Sequence, residues 1–544
     1  MLKQIILSVV TLISTLSISA QSTNIHLNSL GFLPDHNKTA TISEPCEVYN
    51  ILNTDGEVVF TGKTTGPRYQ KDVDQKVWNA DFSRFTKPGE YTLEIEGVGK
   101  TAPFNIAADA FNLAAKTSMR GFYLWRCGAE VDGTFNGNHY HQNVCHLEDG
   151  YEDYIGNKGV KHDGTGGWHD AGDYGKYTVN AGITVGVLFK AWDHFKPQLE
   201  NLNLDTPNAT SKLPAFLEEI KWETDWVLKM QYPDGSGRVS HKLTRVNFSP
   251  FIMADKDHEK RYFTEWSSAA TADFVAMMAM AARYFQPYDP VYAQICLEAA
   301  WLSYNFLRDN PEDKGFVQGD FKTGGYQTSD NDDRLWAAAE MWETTGDKSS
   351  LDDFEKRAKT IDFRIDENWD WGNVSNLGMF TYILSSREGK TPGVEKAIKR
   401  NTIKNADQLV EKANKDVYSR ALGSTYFWGC NGTVARQTIN LQVANRIKPK
   451  EEYINTSLSI IDHLFGNNYY NRSFVTGLGN HAPMHPHDRR SGADSIEEPW
   501  PGYLVGGGHT ATDWVDEQES YSHNEIAINW QAALVYALAG FISK

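Results

Sequence analysis

Asp170 and Asp173 stand three positions apart in the stretch Gly166-Gly167-Trp168-His169-Asp170-Ala171-Gly172-Asp173-Tyr174-Gly175. Ala171 and Gly172 alone separate the two carboxylates, and small residues let a chain turn sharply and a ligand come close. Within a helical turn, this spacing would put both side chains on one face. A third acid, Glu525, opens a C-terminal segment with Ile526, Trp530, Leu534, Leu538 and Phe541 at helical intervals. Acid–base hydrolysis of a glycosidic bond needs such a set. One carboxylate takes a proton from water, another donates a proton to the leaving oxygen, and an inverting site spaces them roughly 6.5–9.5 Å apart to admit the water. The plain alternatives are structural, with Asp173 as a helix cap and Glu525 as an acid favoured by a helix dipole.

The elements that must position these groups follow from the patterning. From Asn24 to about Ile106 short alternating segments are broken by turns such as Asn53-Thr54-Asp55-Gly56, which predicts a hairpin between Glu47–Leu52 and Glu57–Phe60. A small all-β, Ig-like sandwich is expected over residues 21–107. Residues 108–544 read as helical, with apolar-periodic segments near 182–196, 213–231, 265–286, 290–308, 334–345, 351–364, 376–386, 394–413, 434–446, 452–466 and 525–542. About a dozen antiparallel helices without intervening strands fit a closed ring of hairpins or a solenoid. Long loops at 128–178, 235–262, 310–333 and 467–524 interrupt them, and long loops in compact domains are usually functional.

The net charge of -17, from 70 acidic and 53 basic residues, argues against nucleic acid as a partner. A basic start at Lys3, an apolar run from Ile5 to Ile18 and a small-residue end at Ser19-Ala20 describe a signal peptide over residues 1–20. No cysteine follows that run, so a secreted or periplasmic protein without a lipid anchor or membrane span is expected. Five cysteines are too few for a disulfide framework in 544 residues.

Several stretches together resemble glycoside hydrolase family 9, the inverting endoglucanases. Asp170-Ala171-Gly172-Asp173 looks like its Asp-Ala-Gly-Asp signature. Ser473–Gly479 through His487-Asp488-Arg489 resembles its His signature, and Asp516 through Tyr521 to Asn524-Glu525 its Asp/Glu signature. Tyr426-Phe427-Trp428-Gly429 and Asp332-Asp333-Arg334-Leu335-Trp336 also match family patterns, and Asn28–Pro34 resembles the Ig-like domain that precedes many such enzymes. The resemblance implies an (α/α)6 barrel acting on β-1,4-glucan without a cofactor in the chemistry. It makes Asp173 the general base, Asp170 its aide in holding water, and Glu525 the general acid. His487 and Arg489 would contact sugar, Asp516 and Tyr521 would organise the acid's surroundings, and Trp428 and His169 would join them at the substrate. For Glu525, burial and carboxylate neighbours such as Asp516 are expected to outweigh the helix dipole.

Metals are a separate matter. Cys127, Cys145 and His146 offer three soft ligands for structural zinc. The family often completes such a site with a His three residues after the second Asp, where this chain has Lys176; His169 or His162 could substitute, or the cysteines could form a disulfide. Thr328, Asp330, Asp332 and Asp333 form a hard-oxygen cluster suited to calcium, or else a solvated acidic loop. A monomer acting on β-glucan is expected, with three rival readings: another β-glycan such as xyloglucan, a metallohydrolase using His481, His485 and His487, and a non-catalytic carbohydrate binder.

Overall fold

The computed structural model describes residues 22–206 and 212–544, so the expected signal peptide lies outside the described residues. The N-terminal part is two antiparallel sheets. One orders its strands Ile25–His26, Thr39–Ile42, Gln75–Asp81 and Thr65–Gln70. The other runs Val58–Lys63, Val48–Leu52, Gly89–Ile95 and Gly99–Lys100, with Phe104–Ile106 also paired to Gly89–Ile95. The expected hairpin is present, since Val48–Leu52 pairs with Val58–Lys63. Its turn closes because Asn53 Oδ1 accepts from the amides of Asp55 and Glu57, while Gly56 takes φ 79°. Ile42, Ile51, Ala80, Phe82, Leu93 and Ile106 fill the space between the sheets, each wholly buried.

The helical part starts at α1 (Asn112–Leu124), which the periodicity did not mark. It continues with α2 (Thr178–Leu199), α3 (Ala215–Lys229), α4 (Ser268–Phe285), α5 (Pro290–Asp309), α6 (Asn331–Thr345) and α7 (Lys348–Thr360). Then follow α8 (Ser375–Leu384), α9 (Pro392–Lys415), α10 (Cys430–Ile447), α11 (Glu451–Leu464), the short α12 (Tyr521–Asn524) and α13 (Ile528–Ala539). Local chemistry sets several ends. Asp289 caps α5 through the Tyr292 amide with Pro290 at the first turn, Asp347 caps α7 through the Ser350 amide, and Gly346 ends α6 in the left-handed region at φ 75°.

Neighbouring contacts run α2–α4–α6–α8–α10–α13 and return to α2. The remaining long helices pack outside: α3 on α2, α5 on α4, α7 on α6, α9 on α8 and α10, α11 on α10, and α1 on α13. Every residue of α13 is buried, as its all-round apolar sequence requires. Among the described residues no helix is long and apolar enough to cross a membrane.

Inside the long loops are strands that the sequence did not signal. Lys176–Tyr177 pairs with Lys242–Thr244, which pairs with Tyr262–Phe263, so the stretch after Asp173 is stitched to the 235–262 loop. The sandwich docks firmly on the helical part. Gln70 donates to Asp416 Oδ2 (3.0 Å) and accepts from the Val417 amide (2.7 Å), and Val73 and Val77 pack with Val417, Tyr418 and Ala511.

Candidate active site

The Asp170–Gly175 segment closes on itself. The Asp170 amide donates to Gly175 O (3.0 Å), and the Gly175 amide donates to Asp173 Oδ2 (2.9 Å). Helix α2 begins five residues after Asp173 with Tyr177 in the capping position, so neither a cap role for Asp173 nor a helical turn explains the pair. A loop gathers the two carboxylates instead. Asp170 accepts from Asn180 Nδ2 at Oδ1 (2.7 Å) and from the Tyr326 hydroxyl at Oδ2 (2.6 Å), and Asp173 Oδ2 also accepts from the Tyr177 hydroxyl (2.9 Å). Gly172 is required by space: a Cβ there would lie 2.0 Å from His487 O.

Glu525 sits in extended backbone between α12 and α13, half-buried. Three loops meet around it. His487 bridges Glu525, Ala171 bridges Ala527, the Ile528 amide donates to Asp170 O (2.9 Å), and the Gly506 amide donates to Glu525 O (2.9 Å). Main-chain bonds thus bring the acid to the aspartate pair although more than 350 residues separate them in sequence. Desolvation first, then the charges of Asp173 and Asp170, push the Glu525 carboxyl well above the usual carboxylate range, against the pull of Arg489 and the Gly172 amide. Burial and the Asp173 charge likewise raise Asp170 to about 8, against the hydrogen bonds from Tyr326 and Asn180.

His487 lies between these loops. Its Nδ1–H donates to Gln518 O (2.7 Å), its ring meets Phe251 and Tyr521 edge-on, and burial lowers its pKa, favouring the neutral imidazole. Arg489 is buried with two of its nitrogens committed, Nη1 to Gly172 O (2.6 Å) and Nε to Ser249 O (2.8 Å). It therefore clamps the aspartate turn. Trp428 (48% exposed) and Tyr521 (53% exposed) pack edge to face at 5.4 Å, leaving aromatic surface open beside His487.

Two expectations need correction. The charges that raise Glu525 most are those of Asp173 and Asp170, not that of Asp516. Its carboxylate instead accepts from the amides of Met484 and His485, from Arg472 Nη2 and from Asn524 Nδ2 (2.8–3.1 Å), so it shapes the loop leading to His487 and the turn before Glu525. His169 does not face substrate. It is buried, with Nε2 3.8 Å from Cys145 Sγ and 3.4 Å from His146 Nδ1.

Cys127, Cys145, His146 and His169 form one buried group with all ligand atoms within 4.8 Å of one another. Zinc bond lengths of about 2.0–2.1 Å to nitrogen and about 2.3 Å to sulfur imply tetrahedral edges of roughly 3.4 Å for N···N and roughly 3.6 Å for S···N. The separations here are 3.4 Å for His146–His169, 3.6 Å for Cys127–His146 and 3.8 Å for Cys145–His169, so the donors fit zinc. Asp257 Oδ2 lies 3.5 Å from His146 Nε2, where an orienting partner belongs. The cysteines are not disulfide-bonded. His162 is turned to Glu152 (3.5 Å), and Lys176 points elsewhere, to Asp149 Oδ2 (3.0 Å) and to Gly164 O and Gly166 O.

The calcium candidates are each engaged by neighbouring protein groups. Asp330 pairs with Arg334, Asp332 Oδ2 accepts from the Val374 amide (2.6 Å), and Asp333 is buried against Asp273 of α4. Thr328 bonds Ser329 O and Gly372 O.

Tyr326, Tyr177 and Asn180 hold the aspartate carboxylates, and no motif in the sequence marks them. Tyr177 and Asn180 lie within seven residues of Asp173, which offered a weak signal, whereas nothing near Tyr326 points to Asp170.

The sequence profile of glycosyl hydrolase family 9 matches residues 111–538, and that of the cellulase N-terminal ig-like domain matches residues 20–100. The chain is 56% identical over 521 residues to endoglucanase D of Acetivibrio thermocellus, covering 95% of this chain and 83% of that protein. It is 31% identical to a xyloglucan-specific endo-beta-1,4-glucanase of Bacteroides ovatus, covering 94% and 92% of the two chains. The crystal structure of the family 9 endoglucanase J30 superposes with a TM-score of 0.89 at 29% identity, covering 94% of this chain and 99% of that one. With the aspartate turn, the His487 loop and Glu525 gathered as described, the chain belongs to glycosyl hydrolase family 9, with the family's Ig-like domain at its N-terminal end.

Proposed function

We propose that this glycoside hydrolase is a secreted, inverting endo-1,4-β-glucanase that cleaves within cellulose-like chains. Asp173 takes the proton from the attacking water, Asp170 holds that water, and Glu525 protonates the leaving oxygen. The observation that carries this reading is the gathering of three carboxyl groups by main-chain pairing of three distant loops, with burial and its two acidic neighbours pushing the Glu525 carboxyl well above the usual carboxylate range. The neighbour relations of α1–α11 and α13, six inside and six outside, support an (α/α)6 barrel whose cleft lies at the ends from which α2 and α13 start. His487, Trp428 and Tyr521 would contact sugar rings along it. Endoglucanase D, at 56% identity, favours β-1,4-glucan over xyloglucan as the substrate. Secretion rests on the leader-like residues 1–20 and on the relatives' function.

Cys127, Cys145, His146 and His169 would hold structural zinc. Zinc supplies a tetrahedral cross-link when bound. Its ligand His169 immediately precedes Asp170, so the cluster braces the catalytic turn from behind.

The test is reducing-sugar release from soluble β-1,4-glucan, with product anomer followed by NMR. Glu525→Gln and Asp173→Asn should each lower kcat by about three orders of magnitude or more, since general acid–base catalysis alone contributes roughly 10²–10⁴. The initial product should be the α-anomer. Near-normal rates in both variants would refute the assignment.

A further inference from the structure

Lys242 is wholly buried on the Lys242–Thr244 strand, directly opposite Tyr177 in the register. Its ammonium meets neutral oxygens of the 316–326 loop: Gly324 O at 2.7 Å, Gln318 Oε1 at 3.2 Å, Thr323 Oγ1 at 3.3 Å and Thr323 O at 3.4 Å. The rings of Phe321, Phe316 and Tyr177 surround it at 4.9–5.8 Å. Burying a cation without a carboxylate in contact is costly. A methionine could pack among the same three rings without that cost, so what distinguishes lysine here is its tip.

We propose that Lys242 is a positioning residue for the catalytic carboxylates: by gripping the 316–326 loop it sets Tyr177 on Asp173 and Tyr326 on Asp170. The Gly324 amide, next to the carbonyl that Lys242 holds, donates to the Tyr177 hydroxyl (3.1 Å), which donates to Asp173 Oδ2 (2.9 Å). Two residues on, Tyr326 has left-handed backbone (φ 42°) and reaches Asp170 Oδ2 (2.6 Å). Strained backbone of this kind persists when its surroundings over-determine it.

The adjacent His241 supplies the second grip. It donates from Nε2 to Gly325 O (2.7 Å), accepts from Ser267 at Nδ1 (2.8 Å), and stacks flat on Phe316 at 4.1 Å. One strand thus holds consecutive carbonyls of the loop that delivers both tyrosines.

Charge adds to position. Burial lowers Lys242 to about 7, opposed by the negative charge of Asp173. The other groups facing the ammonium are neutral below this range: Tyr177 on the paired strand, Gln318 and Thr323 on the loop, and His241, which burial holds near 3.

The inference rests on the reading of Asp170 and Asp173 as the hydrolytic pair. Its test is Lys242→Met, scored for kcat and KM, alone and with Tyr177→Phe. Displacing the carboxylates by an ångström costs on the order of 100-fold, so kcat should fall about 10- to 100-fold with KM within about threefold. In a Tyr177→Phe background the same substitution should cost much less than it does alone, because both act through one bond.

If Lys242→Met does not fold, Lys242→Gln keeps a donor for Gly324 O without the charge. It should retain kcat within about tenfold of wild type. A wild-type kcat for Lys242→Met, or strict additivity with Tyr177→Phe, would overturn the proposal. Wild-type protein inactive on β-glucans, or an indifferent Glu525→Gln, would instead overturn the function itself.

Discussion

Replacing Tyr326 by Phe deletes one oxygen and leaves its ring in place against Tyr177 (4.9 Å) and Trp371 (5.1 Å). That oxygen donates to Asp170 Oδ2 at 2.6 Å in a site where Asp170 is 1% exposed, so water cannot readily take its place. Leaving a buried polar group without its partner costs about 1–3 kcal/mol. At about 1.4 kcal/mol per decade, losing the bond should lower kcat by roughly 5- to 150-fold if Asp170 must stay oriented through the transition state. The lost bond faces Asp170, so KM should stay within about twofold. The Tm should fall slightly, because the hydroxyl also helps hold a residue at φ 42°. Initial rates on a soluble β-1,4-glucan, paired with a melting curve, decide the matter. A kcat within threefold of wild type would refute the reasoning. A raised KM with normal kcat would refute it as well, and would place the hydroxyl at the sugar instead.

Other outcomes follow from the same geometry. The purified protein should carry one zinc per chain by elemental analysis, and chelation should lower its Tm by several degrees; a metal-free protein with the same Tm, or a Cys127–Cys145 disulfide by mass, would exclude the site. Asp516→Asn should leave the alkaline limb of the pH profile unmoved, since Asp173 and Asp170 raise Glu525, while lowering kcat through the loosened His487 loop. Asp273 and Asp333 are wholly buried against each other in α4 and α6, and burial raises both carboxyls well above the unfolded value. A raised carboxyl costs stability increasingly as pH climbs past its unfolded pKa, near 4, because the unfolded chain ionises first. Asp333→Asn should therefore gain stability over wild type between pH 5 and 9, by a margin that grows with pH; a constant margin would contradict a shared proton. Gln70→Ala, far from the cleft in sequence, should destabilise the domain contact at Asp416 and Val417 by about 1–3 kcal/mol by thermal melt.

Much of the molecule could be read from local pattern because local pattern causes it. Apolar residues at helical intervals bounded α2 to α11 and α13 to within a few residues, and the Asn53–Gly56 turn fixed a hairpin, since periodicity and turn chemistry act over neighbours. Helix α1 escaped notice, and so did the short strands beside Asp173, whose pairing partners lie some 65 residues away. The candidate chemistry was legible as residue types, with Asp170, Asp173 and Glu525 marked by motif. Their environment was not. Asp516 matched a family pattern yet holds backbone amides, His169 belongs to the metal cluster, and Asp330 and Asp332 are engaged by Arg334 and the Val374 amide.

Sequence alone determined which acids this protein has and which helices must be buried. Only the tertiary structure decided what surrounds each acid. Tyr326 reaches Asp170 across 156 positions, and Lys242 grips the loop that brings it there. The field at a carboxylate is set by whatever lies within a few ångströms in space, and adjacency in the chain does not encode that distance.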